Sequence, residues 1–381
     1  MDSYIQDSIR IIKQGQSKSG AYIACPNFPT YRYCWLRDGS FIAHAMDCVG
    51  EYKSSEAFFR WVGKTILRYG SKVEEMRHRI ENGLPLCKDD GLHTRFSLEG
   101  EEVTEDSAWG NFQIDGYGTW LWALAEHIRI SKDNSLLKDL LDPINITLNY
   151  LNLVWQLPNY DCWEENPEYI HPYSLATIYS GVKSITGFLP NGFLIESLGN
   201  GNQLDTQVKE FILKYAIHNN RIVKHVYPAN GVSSPKPVLD SGIDASLISM
   251  CVPYNLFSVA DPIMVETVQA IEKDLHCMGG GVHRYKKDVY YGGGEWILLT
   301  AWLGWYYARC GRLNEANVLK LWIESKFEKD GSLPEQVSEH TLYSDHFQPW
   351  KNKWGPVATP LLWSHAMYII LDNSIQERSS K

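Results

Sequence analysis

The chain has 381 residues, enough for two or three domains or for one large barrel. Thirty-six basic residues against 45 acidic ones leave a charge of −9, with no polybasic run, which speaks against a nucleic-acid or anionic-membrane surface. Charged residues at 21% and hydrophobic ones at 44% exclude a disordered chain, and the longest near-apolar stretch, 296–308, is shorter than the roughly 20 residues of a membrane span.

In chain order, helical spacing recurs almost throughout. Ile5, Ile9 and Ile12 mark a first predicted helix, and Ile42, Ala45, Met46 and Val49 a second. Phe58, Trp61, Val62, Thr65, Ile66 and Tyr69 give a third; Leu121, Leu124, Ala125 and Ile128 a fourth. Ile144, Leu148, Leu151 and Trp155 form the fifth, with Pro143 suited to a first turn. Leu175, Ile178, Tyr179 and Val182 form the sixth, and Val208, Phe211, Ile212 and Tyr215 the seventh. An eighth, shorter helix covers 243–250, and Met264, Val268, Ile271 and Leu275 mark the ninth. Trp296, Leu299, Leu303 and Tyr306 mark the tenth, Ala316, Leu319 and Ile323 the eleventh, and Leu362, Ala366 and Ile369 the twelfth. Only 92–104 reads as a short β-hairpin. The opening MDSYIQDSIRIIKQ lacks a signal-peptide pattern, so a cytoplasmic protein is expected. The eight cysteines contain no CxxC pair, which suits reduced core residues.

Twelve helices and almost no strand predict an all-α fold of six helical hairpins. Connections after odd helices (14–35, 70–114, 156–171, 219–241, 277–294, 326–358) are longer on average than those after even ones (50–51, 132–142, 187–202, 251–261, 311). In a closed ring of alternating helices, the long connections share one face, where sites usually sit. No linker rich in Pro, Gly or Ser divides the chain, so one domain over 1–381 is expected.

That face collects the unusual clusters. Tyr33 to Gly39 contains Trp35, Arg37 and Asp38, and the Arg–Asp pair can grip vicinal hydroxyls; the plainer reading is a helix cap at Asp38 beside a surface arginine. Trp109-Gly110-Asn111-Phe112-Gln113-Ile114-Asp115-Gly116 offers Trp109, Asn111 and Gln113 to a sugar ring, with Asp115 as an alternative helix cap. Trp163-Glu164-Glu165 sets two carboxyls beside an aromatic wall, where desolvation keeps an acid protonated near neutrality; alternatively it is a solvated acidic loop. Leu333-Pro334-Glu335-Gln336 places another glutamate on the same face, or is an ordinary exposed turn. His283-Arg284-Tyr285 and Tyr290-Tyr291-Gly292-Gly293-Gly294-Glu295-Trp296 precede the tenth helix; their glycines lack a phosphate-loop pattern and read as turn chemistry. His340, Asp345 and His346 lack diagnostic metal spacing, no HExxH is present, and no GxSxG supports a serine hydrolase.

Taken in order, WLRDG (35–39), WGNFQIDG (109–116), WEE (163–165), HRY (283–285) with YYGGGEW (290–296), LPEQ (333–336) and TPLLWSHA (359–366) resemble glycoside hydrolase family 15, the glucoamylase family, over about 31–370. The resemblance implies an (α/α)6 barrel that releases β-D-glucose from non-reducing ends of α-glucosides with inversion. It implies Glu164 as general acid and Glu335 as general base. It gives Arg37, Asp38 and Arg284 to the terminal glucose, Trp109, Trp163 and Trp363 to the pocket walls, and Glu165 to the leaving side. Asn111 stands where many fungal members carry arginine. The helical pattern begins almost at Met1, with neither starch-binding module nor N-terminal β-sandwich, so the expected substrates are short soluble oligosaccharides. In layout the chain is similar to the bacterial isomaltose glucohydrolases of that family. Such chemistry calls for no metal or organic cofactor, no nucleic acid and no membrane. Two alternatives remain open: α,α-trehalose hydrolysis on the same scaffold, and a non-catalytic barrel that binds a glucan or a partner.

Overall fold

A computed structural model describes residues 3–86, 90–103, 110–190, 204–277 and 279–379. Thirteen α-helices lie among them: α1 (Ser3–Gln14), α2 (Leu36–Cys48), α3 (Tyr52–Glu81), α4 (Asp115–Ser131), α5 (Ser135–Asp139), α6 (Leu141–Val154), α7 (Pro172–Thr186), α8 (Leu204–Tyr215), α9 (Pro262–Leu275), α10 (Ile297–Arg309), α11 (Leu313–Glu324), α12 (Phe347–Trp354) and α13 (Leu362–Ser379).

Six elements pack into an inner ring. Contacts run from α2 to α4, α7, a 3₁₀ segment at Ala245–Met250, α10, α13 and back to α2. The sequence explains which helices go inside. In α10 every residue from Ile297 to Ala308 is buried, and in α2 every residue from Leu36 to Asp47. A helix buried all round belongs to a core. Outer helices bury one stripe: α9 buries Met264, Thr267, Val268, Ala270, Ile271 and Leu275 against the ring and exposes its charges. Where α4 crosses α7, Gly118 and Gly181 face each other. A Cβ on either would come within about 2.4 Å of the other helix's backbone, so the approach requires glycine. The fold is thus the expected (α/α)6 arrangement.

The structure corrects four details. The eighth predicted helix is 3₁₀ rather than α, started by Asp244 accepting the Ser246 amide (2.9 Å); Pro253, without an amide hydrogen, closes the way to an extended helix. Helix α3 continues to Glu81 through residues of good helix propensity, with Val73 and Met76 buried, which shortens the connection predicted to start at 70. Helices α5 and α12 stand where loops were expected. The 92–104 segment is only partly a hairpin. Arg95–Phe96 (β2) pairs with Cys34–Trp35 (β1), while a single bridge joins Phe96 to Glu102.

The other two-residue strands are β3 (Ile217–His218) with β4 (Arg221–Ile222), β5 (Val226–Tyr227) with β6 (Lys236–Pro237), and β7 (Glu295–Trp296) with β8 (Gln336–Val337). The β1–β2 and β7–β8 pairs tie long connections together on one face. The seven described cysteines are unpaired; Cys87 lies outside the described residues. No helix among the described residues is long and apolar enough to cross a membrane.

Candidate active site

A cavity of about 350 Å³ opens at the end of the ring where the inner helices begin. Its lining comes from five of the six long connections and from the first turns of α2, α10 and α13. It brings together Trp35, Arg37, Asp38, Trp163, Glu164, Glu165, Arg284, Glu335 and Trp363, which are spread over more than 300 positions of the chain.

One corner is built on α2. Arg37 and Asp38 lie in its first turn, and the cap position is Trp35, so the cap expected at Asp38 is not formed. Both side chains are buried. Arg37 Nη1 donates to Asp115 Oδ2 (3.0 Å) and to Gln113 Oε1 (3.2 Å), and Nε faces Asp38 Oδ2 at 3.4 Å. Its guanidinium lies 5.4 Å from the Trp363 ring. Asp115 is therefore the counter-charge of Arg37, not a helix cap. Burial pushes the Asp38 carboxyl up to about 7 against the opposing charge of Arg37.

The Glu164 wall is a tight loop organised by Asp161. Asp161 Oδ1 accepts the amides of Trp163 and Glu165 (both 2.9 Å), and Oδ2 accepts Asn166 Nδ2 (3.0 Å). Glu164 itself has φ +66°, a left-handed conformation that a glutamate adopts only when its surroundings impose it. Glu164 Oε1 accepts Trp35 Nε1 (2.5 Å) and lies 4.0 Å from Arg37 Nη2. Burial raises the Glu164 carboxyl, with Arg37 as the main opposing charge. The solvated acidic loop is thus ruled out.

Glu335 occupies a different setting. It is 3% exposed, not the surface residue of the plainer reading, and its amide bonds to the Ala358 carbonyl (2.9 Å). Burial pushes its carboxyl up to about 8; Arg284 and the hydroxyls of Tyr31 and Tyr290 oppose that rise. Those two hydroxyls are 3.0 Å apart. Among the described residues the buried Glu335 Oε2, Trp296 Nε1 and Trp363 Nε1 have no hydrogen-bond partner, and Arg37 Nε and Asp38 Oδ2 have only their 3.4 Å ion pair. So many unmet polar atoms on residues of one cavity suit a polyhydroxylated guest, since leaving them unmet is costly.

Arg284 repeats the Arg37 design. It grips buried Asp288 through Nε (2.7 Å) and Nη2 (2.5 Å), and Nη2 also reaches Glu165 Oε1 at 3.5 Å. Its guanidinium lies 5.2 Å from Trp163, 5.0 Å from Trp296 and 5.4 Å from Tyr290. Tyr285 donates to Glu165, whose carboxyl burial also raises.

Gln113 is displaced from its expected place. It is fully buried behind Arg37, accepts from it, and donates to the Gly110 carbonyl (2.9 Å), so it props the arginine and does not line the cavity. Trp109 lies outside the described residues. The 219–241 connection contributes no lining either, but its Lys224 backs the wall: Lys224 Nζ pairs with Asp244 (3.1 Å), which accepts Trp163 Nε1 (3.0 Å). Sequence reasoning passed over Tyr31, Tyr290, Asp161 and Asp288. Tyr290 was visible only as part of a glycine turn; the two aspartates carry no local motif.

Two groups could offer metal ligands. In the group of Asp161, His171 and His225 the ligand atoms already have partners: the two His Nδ1 atoms are 3.0 Å apart, His171 Nε2 meets the Asn159 carbonyl (2.6 Å), and Asp161 holds its own loop. Cys277, Glu295 and His340 form the other, where buried Glu295 accepts the Gly281 amide (3.0 Å) and faces His340 Nδ1 (3.1 Å). Neither group belongs to the cavity lining.

Comparison with known proteins gives a consistent picture. Residues 1–341 match the sequence model described as "Glycosyl hydrolases family 15". An isomaltose glucohydrolase of Kribbella flavida is 34% identical over 369 residues, 96% of this chain and 90% of that protein. A trehalase of Thermoplasma acidophilum is 25% identical over 320 residues, 82% of this chain and 52% of that protein. Among solved structures, a glycosidase variant in complex with glucose superposes with a TM-score of 0.89 at 33% identity, covering 99% of both chains. A bacterial glucoamylase complexed with acarbose shares the fold, with a TM-score of 0.71 at 20% identity over 99% of this chain and 56% of that one.

Proposed function

The chain belongs to glycosyl hydrolases family 15 and is a glycoside hydrolase, and from that premise we propose that it removes glucose one unit at a time from non-reducing ends of short α-glucosides. Isomaltose and malto- or isomalto-oligosaccharides are the substrates of this reading, and β-D-glucose is the product. The observation that carries it is the pairing of Glu164 and Glu335, 171 positions apart, on the walls of one cavity cornered by Arg37 and Asp38.

Inversion requires one protonated and one ionised carboxyl on opposite sides of the anomeric carbon, about 6.5–9.5 Å apart so that water fits between. In our assignment Glu164 protonates the glycosidic oxygen. Its half-buried position beside the Trp35 indole, and the raised carboxyl that results, keep a proton available. Only the ionised form of Glu335 can draw a proton from the attacking water, and burial raises its carboxyl to about 8, so turnover is expected to fall as pH drops below that value. The Tyr31 and Tyr290 hydroxyls beside Glu335 are suited to orient that water and to hold the charged form of the carboxylate. Arg37 and Asp38 hold hydroxyls of the terminal ring; Arg284, Trp163 and Trp363 close around it. Hydrogen bonds that Asp38 accepts from sugar hydroxyls, and that tighten as the ring gains oxocarbenium character, lower the barrier, because only such differential binding accelerates the step.

The trehalase relative motivates a second reading, hydrolysis of α,α-trehalose by the same pair. One experiment separates the two. An NMR time course on isomaltose, maltose, panose and trehalose reports linkage and first anomer together. The expected result is β-glucose released first from isomaltose or maltose. Release of the α-anomer would refute inversion, and turnover of trehalose alone would establish the second reading.

A further inference from the structure

We propose that α12 is the binding platform for the leaving-group sugar, so that this helix, absent from the expected fold, selects what is cut from the terminal glucose. The proposal rests on the α-glucosidase reading and deepens it. Trp350, Lys353 and Trp354 all line the cavity, and the two indoles are one helical turn apart on one face of α12. None of the eight residues of α12 is fully buried; Phe347, Trp350 and Trp354 pack against the core only in part. It is held nonetheless. Trp350 meets Tyr290 edge-on at 5.0 Å and stacks on Tyr291 at 6.3 Å, and Tyr291 Oη donates to the Gly355 carbonyl (3.0 Å).

A helix anchored in this way and carrying two part-exposed indoles presents apolar area that burial in the core does not recover. The occupant follows from position. Arg37, Asp38 and the two carboxyls take the terminal ring, so the next ring of an exo-substrate must lie toward the opening, where α12 stands. The C–H face of a pyranose matches an indole face, as aromatic surfaces generally accept apolar contacts. Lys353 Nζ lies 4.8 Å from the Trp354 ring and 5.6 Å from that of Trp350, and it has no ion pair among the described residues, so it is available to a sugar hydroxyl. The match to the family model ends at residue 341, so family membership does not by itself assign this helix a role.

The test compares disaccharides with α-D-glucosyl fluoride, which has the same terminal ring and no leaving sugar. For Trp354→Ala, kcat/KM on isomaltose and maltose is expected to fall about tenfold further than on the fluoride, chiefly through KM. Trp354→Phe should recover part of the loss, and Lys353→Ala should move the same ratio in the same direction. Thermal melts of each variant verify folding. Equal losses on all three substrates, or no loss on any, would overturn the proposal. A parent enzyme inactive on all three would overturn the α-glucosidase reading beneath it.

Discussion

At the scale of single residues, the two glutamates differ by what touches them. Glu164 receives an indole N–H and faces Arg37; Glu335 is beside two phenols and a buried aspartate-paired arginine. If Glu164 is the acid and Glu335 the base, the leaving group distinguishes them. Fluoride departs without a proton, whereas a sugar alkoxide does not. Glu164→Gln is therefore expected to lose about 100- to 10,000-fold on maltose but far less on α-glucosyl fluoride. Glu335→Gln should lose on both, because both need activated water. Steady-state kinetics on the two substrates decide it; the opposite pattern would exchange the roles. The sequence made these residues legible through type and neighbours alone, Trp beside Glu164 and Pro-Glu-Gln around Glu335. It left a helix cap open as an alternative at Asp38 and Asp115, because a carboxyl near a helix start has the same local signature whether it caps backbone amides or, like Asp115, meets an arginine 78 positions away.

At the scale of elements, helices were readable and loops were not. Eleven of the twelve predicted helices are α-helices because burial of a stripe or of a whole helix leaves a periodic trace over many residues. The loop at 161–166 leaves none. Its shape comes from one aspartate collecting two amides and an Asn side chain, with a glutamate held at positive φ. Asp161 is thus a positioning residue for Glu164. Asp161→Ala is expected to lower kcat at least tenfold with a smaller change in KM, since three hydrogen bonds to a buried carboxylate vanish, each worth about 1.5–3 kcal/mol. Asp161→Asn should retain part of the activity because its Oδ1 still accepts. Unchanged kcat in the alanine variant, with the loop intact by its melt, would remove Asp161 from the mechanism. Helix α12 escaped the sequence reading for a related reason: it has only eight residues, and its apolar Phe347, Trp350 and Trp354 are only partly buried, so no full core stripe marks it.

At the scale of the whole molecule, the contact ring from α2 round to α13 supports reading the chain as one folding unit, and one unfolding transition is expected. The pH dependence of that transition follows from the site. Glu335 binds its proton up to about 8 in the folded chain, against an ordinary 4.5. Between those values the folded state holds a proton that the unfolded state releases, so rising pH favours unfolding. Glu335→Gln carries no such proton. The melting temperature of the variant minus that of the parent should grow between pH 4.5 and 8.5 by a few degrees, at ~2 °C per kcal/mol for a chain of this size. Asp38, itself raised to about 7, adds to the rise of Glu335, so part of that gap belongs to the pair. Calorimetry at both ends of the range measures the difference; a constant or shrinking gap would contradict the buried-acid account.

The five α-helices of the inner ring, α2, α4, α7, α10 and α13, all start at the cavity end. Each helix start carries the equivalent of roughly half a positive charge. Together they lay a standing electric field beneath the carboxyl cluster, one that acts against burial and favours ionisation. Because the arrangement is enclosed by protein, dissolved salt screens it weakly. The backbone of the ring thereby helps set which acids are charged, a task that no side chain performs alone.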